Sequence, residues 1–263
     1  MLANFYKPED LINRLNSIAN SLASKPDSLA LIGLGSAGLE INRLDQYSDL
    51  DFFVIVRKDK KQNYLSNLSW LEADQSLVFK FMNTVDGFKA LYADGIFLEF
   101  AVFEEWELKK IPYSSGRVVW AHPDFDLEFA NPQIKLPEQK QPPIEWSVNE
   151  ALAICYIGIN RYLRGEKLSA FRFVQIYAVD RVMELAKYLE KDTLDSFDPF
   201  SNERRFEKRF PQTAKILPDL MTGYENTPDA VLAILNFLDE NFDVNEPLKN
   251  LIKNLVFSSK KDS

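Results

Sequence analysis

The 263-residue chain reads as an α+β protein in which a mixed β-sheet flanked by helices is followed by a helical bundle. Three observations predict this. Short runs rich in β-branched and aromatic residues, punctuated by Asp-Gly turns, crowd the first half, and longer segments with apolar residues three and four apart fill the second. Between them, residues 131–146 hold Pro132, Pro137, Pro142 and Pro143 with little hydrophobic periodicity, the composition of a connector. The expected organisation is a sheet domain over 1–135, a Pro-containing linker over 136–146 and a helical domain over 147–263.

Taken in order, Leu11, Ile12, Leu15, Ile18, Ala19 and Leu22 recur at helical spacing behind Pro8, which suits a first turn, so a helix is expected over 8–25. Two strand-like runs follow at 29–35 and 52–56. Further strands are expected at 78–82, 88–92 and 96–103, joined at Asp86-Gly87 and Asp94-Gly95, both hairpin signals. In the second half, Ser147 and Glu150 have capping-box spacing ahead of an apolar helix ending at Gly165. A long helix is expected from Ser169 to about Lys191, a third from Thr227-Pro228, and a fourth from Pro247.

Composition removes several function classes. A net charge of -8 argues against broad contact with nucleic-acid backbones, which needs clustered Lys and Arg. The excess is uneven: residues 1–146 carry 15 basic against 21 acidic residues, and residues 147–263 carry 16 against 18. The acidic first half suits divalent cations or a cationic acceptor. One cysteine, Cys155, excludes an internal disulfide framework, and its apolar surroundings predict a buried thiol. The opening residues lack a basic segment followed by an apolar stretch, and no apolar run is long enough to cross a bilayer. A soluble cytoplasmic protein is expected, with no membrane or nucleic-acid partner. His122 is the only histidine, which leaves no multi-His metal site and no support for a Ser-His-Asp hydrolase.

The informative segment runs from Gly35 to Val56. Gly35-Ser36 stands at the exit of one strand, and Asp49-Leu50-Asp51 at the entry to the next. Side chains two apart in a strand share a face, about 6.6 Å apart along the chain, so Asp49 and Asp51 can converge on one cation. Carboxylates beside a glycine form a hard-oxygen site suited to magnesium bridging polyphosphate oxygens. The Gly35-Ser36 turn can offer main-chain N-H groups and a hydroxyl to phosphate. Glu99, flanked by apolar residues in a later strand, is the candidate third acid, as a ligand shared with the aspartates or as a general base.

Gly-Ser, a gap, Asp-x-Asp and a further acid on a later strand together resemble the signature of the nucleotidyltransferase superfamily. More narrowly, Asp45-Gln46-Tyr47-Ser48-Asp49 is similar to the antibiotic nucleotidyltransferases of the lincosamide-modifying type, with streptomycin adenylyltransferases more distant. Gly158, Leu163-Arg164-Gly165-Glu166 and Ala170 are similar to that family's second domain. The resemblance implies a nucleotidyltransferase fold with a C-terminal helical bundle, Asp49 and Asp51 as metal ligands, and Glu99 as third acid. It further implies Mg2+, ATP or another nucleoside triphosphate as substrate, a small-molecule acceptor and a possible homodimer. One departure stands out: Ala37-Gly38-Leu39-Glu40 after Ser36 lacks the basic residue many members place there, so triphosphate grip is expected from Arg43 or the helical domain.

Other candidates have plainer readings. Arg57, Lys58, Lys60 and Lys61 read as a solvated basic loop. Glu104, Glu105 and Glu107 read as a solvated helix start, and Trp120 and Tyr113 as core packing. Arg172, Gln175, Asp180 and Arg181 are the polar residues of the long helix that could face a cleft. Three readings remain: a transferase moving a nucleoside monophosphate to a small acceptor, a regulatory or antitoxin-type relative that binds nucleotide or a partner chain without transfer, and a transferase whose acceptor is a protein side chain.

Overall fold

The sheet is organised around one parallel pair. The computed structural model describes residues 6–134, 142–194 and 201–259. The first unit, Met1–Glu138, contains a helix α1 (Pro8–Ala23), strands β1 (Ser28–Gly33) and β2 (Leu50–Val56), a short helix α2 (Lys61–Ser66), then β3 (Leu77–Thr84), β4 (Gly87–Tyr92), β5 (Phe97–Glu104) and β6 (Arg117–Ala121). The six strands lie in the order β3-β4-β5-β2-β1-β6. β2 and β5 run parallel, while every other neighbouring pair is antiparallel. The mixed sheet expected from the sequence is therefore present.

Alternation along β2 explains both cores. Leu50, Phe52, Val54 and Val56 join the core beneath α1, whereas Ile55 joins a second core containing Phe103, Tyr113 and Phe129, with Phe53 packed against it. Leu11, Leu15, Ile18 and Leu22 of α1 are all at most 2% exposed, their four-three-four spacing presenting one face to the sheet. Each such side chain contributes roughly 1.5–3 kcal/mol of burial. Phe52 and Phe100 stack in parallel at 5.3 Å across the β2/β5 pair, and the Trp70 ring meets Phe100 edge-on. This aromatic packing clamps together the two strands that carry Asp51 and Glu99.

β6 and α2 form in segments for which the sequence predicts no element. Residues 57–60 form a surface turn, as expected, with Arg57 paired to Asp124 and Lys60 to Asp27, whereas Lys61 opens α2 and pairs with both Asp86 and Glu107. One expectation needs correction: Glu104 does not belong to a solvated helix start but closes β5, is buried and accepts from the Trp106 indole. Tyr113 is buried as expected and donates to the carbonyls of Phe129 and Asn131.

The second unit, Gln139–Ser263, is helical, with α3 (Ile144–Leu163), α4 (Lys167–Arg172), α5 (Val179–Leu185), α6 (Phe206–Arg209), α7 (Leu217–Leu220), α8 (Thr227–Asn241) and α9 (Glu246–Ser259). The first helix opens three residues before Ser147, because Pro143 occupies the N-cap position. Ser147 is then buried inside the helix and its hydroxyl donates to Glu184. Residues 135–141, most of the expected linker, lie outside the described residues. The long helix expected over 169–191 is interrupted by a π-helical segment, Phe173–Ala178, between α4 and α5. Gln175 in that segment is fully buried: its amide donates to the Gly223 carbonyl and Thr227 hydroxyl and accepts from the Gly223 N-H. It is a structural clasp within the bundle and not a cleft residue. Cys155 is buried, as expected. Among the described residues no helix is long and apolar enough to cross a membrane.

Candidate active site

The sheet face opposite α1 carries the expected acids. Because Phe52 and Phe100 point to the α1 side, Asp51 and Glu99 point to the other, and parallel pairing sets them directly beside each other in register. Neighbouring strands lie about 4.8 Å apart, within reach of a shared cation. Asp49 immediately precedes β2, two residues before Asp51. Its charge is felt by Tyr6: burial raises the phenol pKa, and Asp49, Asp45 and Asp94 add to the rise. The Tyr6 hydroxyl donates to the Ser48 carbonyl, tying the segment that enters β2.

The turn after β1 folds back on its own strand. Gly35, Ser36 and Ala37 form a single 3-10 turn, anchored by the Leu34 N-H on the Asp51 carbonyl at 2.8 Å. Gly35 has φ +51°, a conformation costly for other residues, and a methyl there would lie 3.9 Å from Asp51 Oδ2. The positive φ, more than the space beside Asp51, is what calls for glycine here. A methyl on Gly33 would overlap the Ala37 carbonyl, so a glycine is needed for the turn to close. Arg117 of β6 braces it, donating from Nη2 to the Ala37 carbonyl at 2.9 Å.

Glu99 is engaged. Lys89 Nζ, directly opposite on β4, lies 3.1 Å from Glu99 Oε2, and Asn83 Nδ2 donates to Oε1 at 2.9 Å. The lysine and glutamate side chains are 37% and 43% exposed. Pairs this wet contribute only about 0–1 kcal/mol, so a cation can displace the lysine at low cost. Asn83 Oδ1 is buried without a hydrogen-bond partner. Arg43, the expected phosphate grip, forms an ion pair with Glu40 in the same loop.

Donor chemistry therefore suits a hard divalent cation, with carboxylates on adjoining strands beside a glycine. Among the described residues, however, no three His, Cys, Asp or Glu side chains already converge as a metal cluster. Glu99 would have to turn from Lys89 and Asn83 toward Asp51 to complete one. A separate cavity of about 400 Å³ lies under α1, lined by Tyr6, Asp10, Arg14, Asp74 and Asp94 among others. There Arg14 pairs with Asp94 and lies over the Tyr92 ring.

Sequence reasoning missed Lys89, Asn83 and Arg117. Lys89 alternates with apolar residues in its strand, a signal for one sheet face, but its position opposite Glu99 depends on pairing register.

No protein-family model matches the chain, and no curated protein sequence does. Among solved structures it is similar to an aminoglycoside 6-adenyltransferase from Bacillus subtilis, at 13% identity and TM-score 0.35, covering 97% of this chain and 92% of that one. It is also similar to a nucleotidyltransferase-like protein from Exiguobacterium sibiricum, at 13% identity and TM-score 0.31, covering 95% and 80%. A third is spectinomycin adenyltransferase from Enterococcus faecialis, solved with ATP and spectinomycin, at 16% identity and TM-score 0.30, covering 96% and 99%. The chemistry of the site is carried by this chain's own residues.

Proposed function

We propose that the protein is a magnesium-dependent nucleotidyltransferase that moves a nucleoside monophosphate, AMP from ATP, onto a hydroxyl of a small antibiotic-like acceptor. The observation that carries this is the register of Asp51 beside Glu99 on one sheet face, with Asp49 two residues upstream and Gly35 against Asp51.

Asp49 and Asp51 would hold the cation, with Glu99 as the third acid. Bound there, magnesium supplies charge neutralisation of the polyphosphate and orients it for in-line displacement. The Gly35-Ser36 turn binds the departing end through main-chain N-H groups and the Ser36 hydroxyl. An acceptor oxygen attacks the α-phosphorus, a P-O bond forms, and the bond to the bridging oxygen breaks to release pyrophosphate. The acceptor proton passes to Glu99, the acid farthest from that turn in the strand order. Arg117 acts as a positioning residue by holding the Ala37 carbonyl.

Purified protein given magnesium, ATP, and a panel of lincosamides and aminoglycosides should release pyrophosphate only when acceptor is present. No release with any acceptor, and no labelled product, would remove the reading. A second reading has one observation in its favour: Glu99 is held by Lys89 and Asn83 instead of converging with the aspartates. A regulatory or antitoxin-type relative would bind nucleotide with magnesium and yield no product across the same panel.

A further inference from the structure

Beyond Glu99 the same sheet face continues, open, to an aromatic ledge. β3 is an edge strand, and its Phe79 and Phe81 are 48% and 46% exposed, with ring centroids 5.6 Å apart. Strand register places Phe81 opposite Lys89, Lys89 opposite Glu99, and Glu99 opposite Asp51, so the four form one row across four strands. Phe79, Leu91 and Phe97 form the adjacent row on the same face. At about 4.8 Å per strand, Phe81 stands about 10 Å from Glu99, roughly the span of two linked six-membered rings. Water-exposed aromatic pairs of this kind mark binding surfaces.

Resting on the proposed transfer reaction, we infer that Phe79 and Phe81 anchor the acceptor, and that it has an apolar or ring face in place of clustered ammonium groups. Two observations choose the acceptor over the nucleotide base. In-line displacement sets the attacking oxygen opposite the leaving pyrophosphate. The phosphate-binding turn follows β1, which flanks β2 on one side, while β5, β4 and β3 extend from the other. The acceptor therefore approaches over Glu99 and Lys89, from the side of the ledge. Charge completes the case. Along this path the ionised groups in the two rows beyond Asp51 are Glu99 and the Lys89 that pairs with it, so a polyamine meets an ammonium group and little carboxylate.

The test is calorimetry on the full chain with magnesium and a nonhydrolysable ATP analogue, titrating lincomycin, which carries one amine and an alkyl-substituted ring, and kanamycin, a polyamine. Lincomycin should bind the wild type more tightly than kanamycin. Phe79→Ala and Phe81→Ala should each weaken it about tenfold, Phe81→Tyr should restore most of the affinity, and binding of the ATP analogue should stay within twofold. Both rings lie on a half-exposed edge, so truncation spares the cores. Tighter kanamycin binding, absence of lincomycin binding to a nucleotide-loaded wild type, or unchanged affinity in both alanine variants would overturn the inference. Loss of analogue binding in those variants would also overturn it and assign the ledge to the base. Failure of the wild type to bind the analogue at all would instead strike the transferase reading itself.

Discussion

Replacing Lys89 with methionine should tighten divalent cation binding. Lys89 holds Glu99 at 3.1 Å, and the two side chains are 37% and 43% exposed. An ion pair so hydrated contributes at most about 1 kcal/mol, which is the stability expected to be lost in Lys89→Met. A cation recruiting Glu99 must first displace the same ammonium, so its removal returns up to about 1 kcal/mol to metal binding. With 1.4 kcal/mol per tenfold, this is an affinity gain of roughly two- to fivefold. Loss of the nearby positive charge acts in the same direction. Electron paramagnetic resonance of free Mn2+ during titration reads the affinity directly, and Lys89→Arg, which keeps the charge, should stay near wild type. Weaker Mn2+ binding in Lys89→Met, or equal affinity together with no effect of Glu99→Gln, would refute the idea that Glu99 is a ligand held in reserve.

Other perturbations report on neighbouring parts of the structure. Gly35→Ala forces a methyl-bearing residue to φ +51° beside Asp51, so it should cost about 1–2 kcal/mol in denaturant unfolding and weaken Mn2+ binding; no change in either would show that the turn does not need glycine. Lys61 is opposed by its own burial, yet hydrogen bonds to Asp86 and Glu107 outweigh that and hold its pKa above the ordinary value. A raised pKa means that its contribution is present below the unfolded value and is lost as pH climbs through the folded one. Unfolding free energy should therefore fall above about pH 10.5 and fall less steeply in Lys61→Met, whereas parallel curves would exclude the linkage. Burial pushes the Cys155 thiol up to about 12, so iodoacetamide should label it only on unfolding. Mass spectrometry of native and urea-treated protein separates the cases, and rapid native labelling would contradict the packing.

Much of this architecture was legible because periodicity reports burial. α1 and the apolar parts of β1, β2, β4 and β5 each repeat at the spacing their packing demands. The Asp-x-Asp stood out because two charges interrupt the entry to an otherwise buried strand. β6 was not legible: Arg117 opens it and His122 follows it, leaving a four-residue apolar run too short to weigh. α2 reads KQNYLS, in which Tyr64 and Leu65 are the two buried residues. The interruption at Phe173–Ala178 has no local signal, and Gln175 within it bonds to Gly223 and Thr227 about fifty residues away.

At the site, the identity of the acids was readable and their arrangement was not. Pairing of β2 with β5 on the side away from β1 is what puts Asp51 beside Glu99. Lys89 faces Glu99 across the β4–β5 hairpin, whose turn at Asp94-Gly95 was legible but whose residue-by-residue register was not. Arg117 reaches the Ala37 carbonyl from a strand 80 residues away.

The central claim is that Asp49 and Asp51 hold a divalent ion against a polyphosphate. Calorimetric titration of wild type and Asp51→Asn with a nonhydrolysable ATP analogue, each with magnesium and with EDTA, tests it most directly. Binding should require magnesium in the wild type and disappear in the variant while its unfolding midpoint is retained. Equal binding by both proteins, or binding that persists in EDTA, would contradict the account.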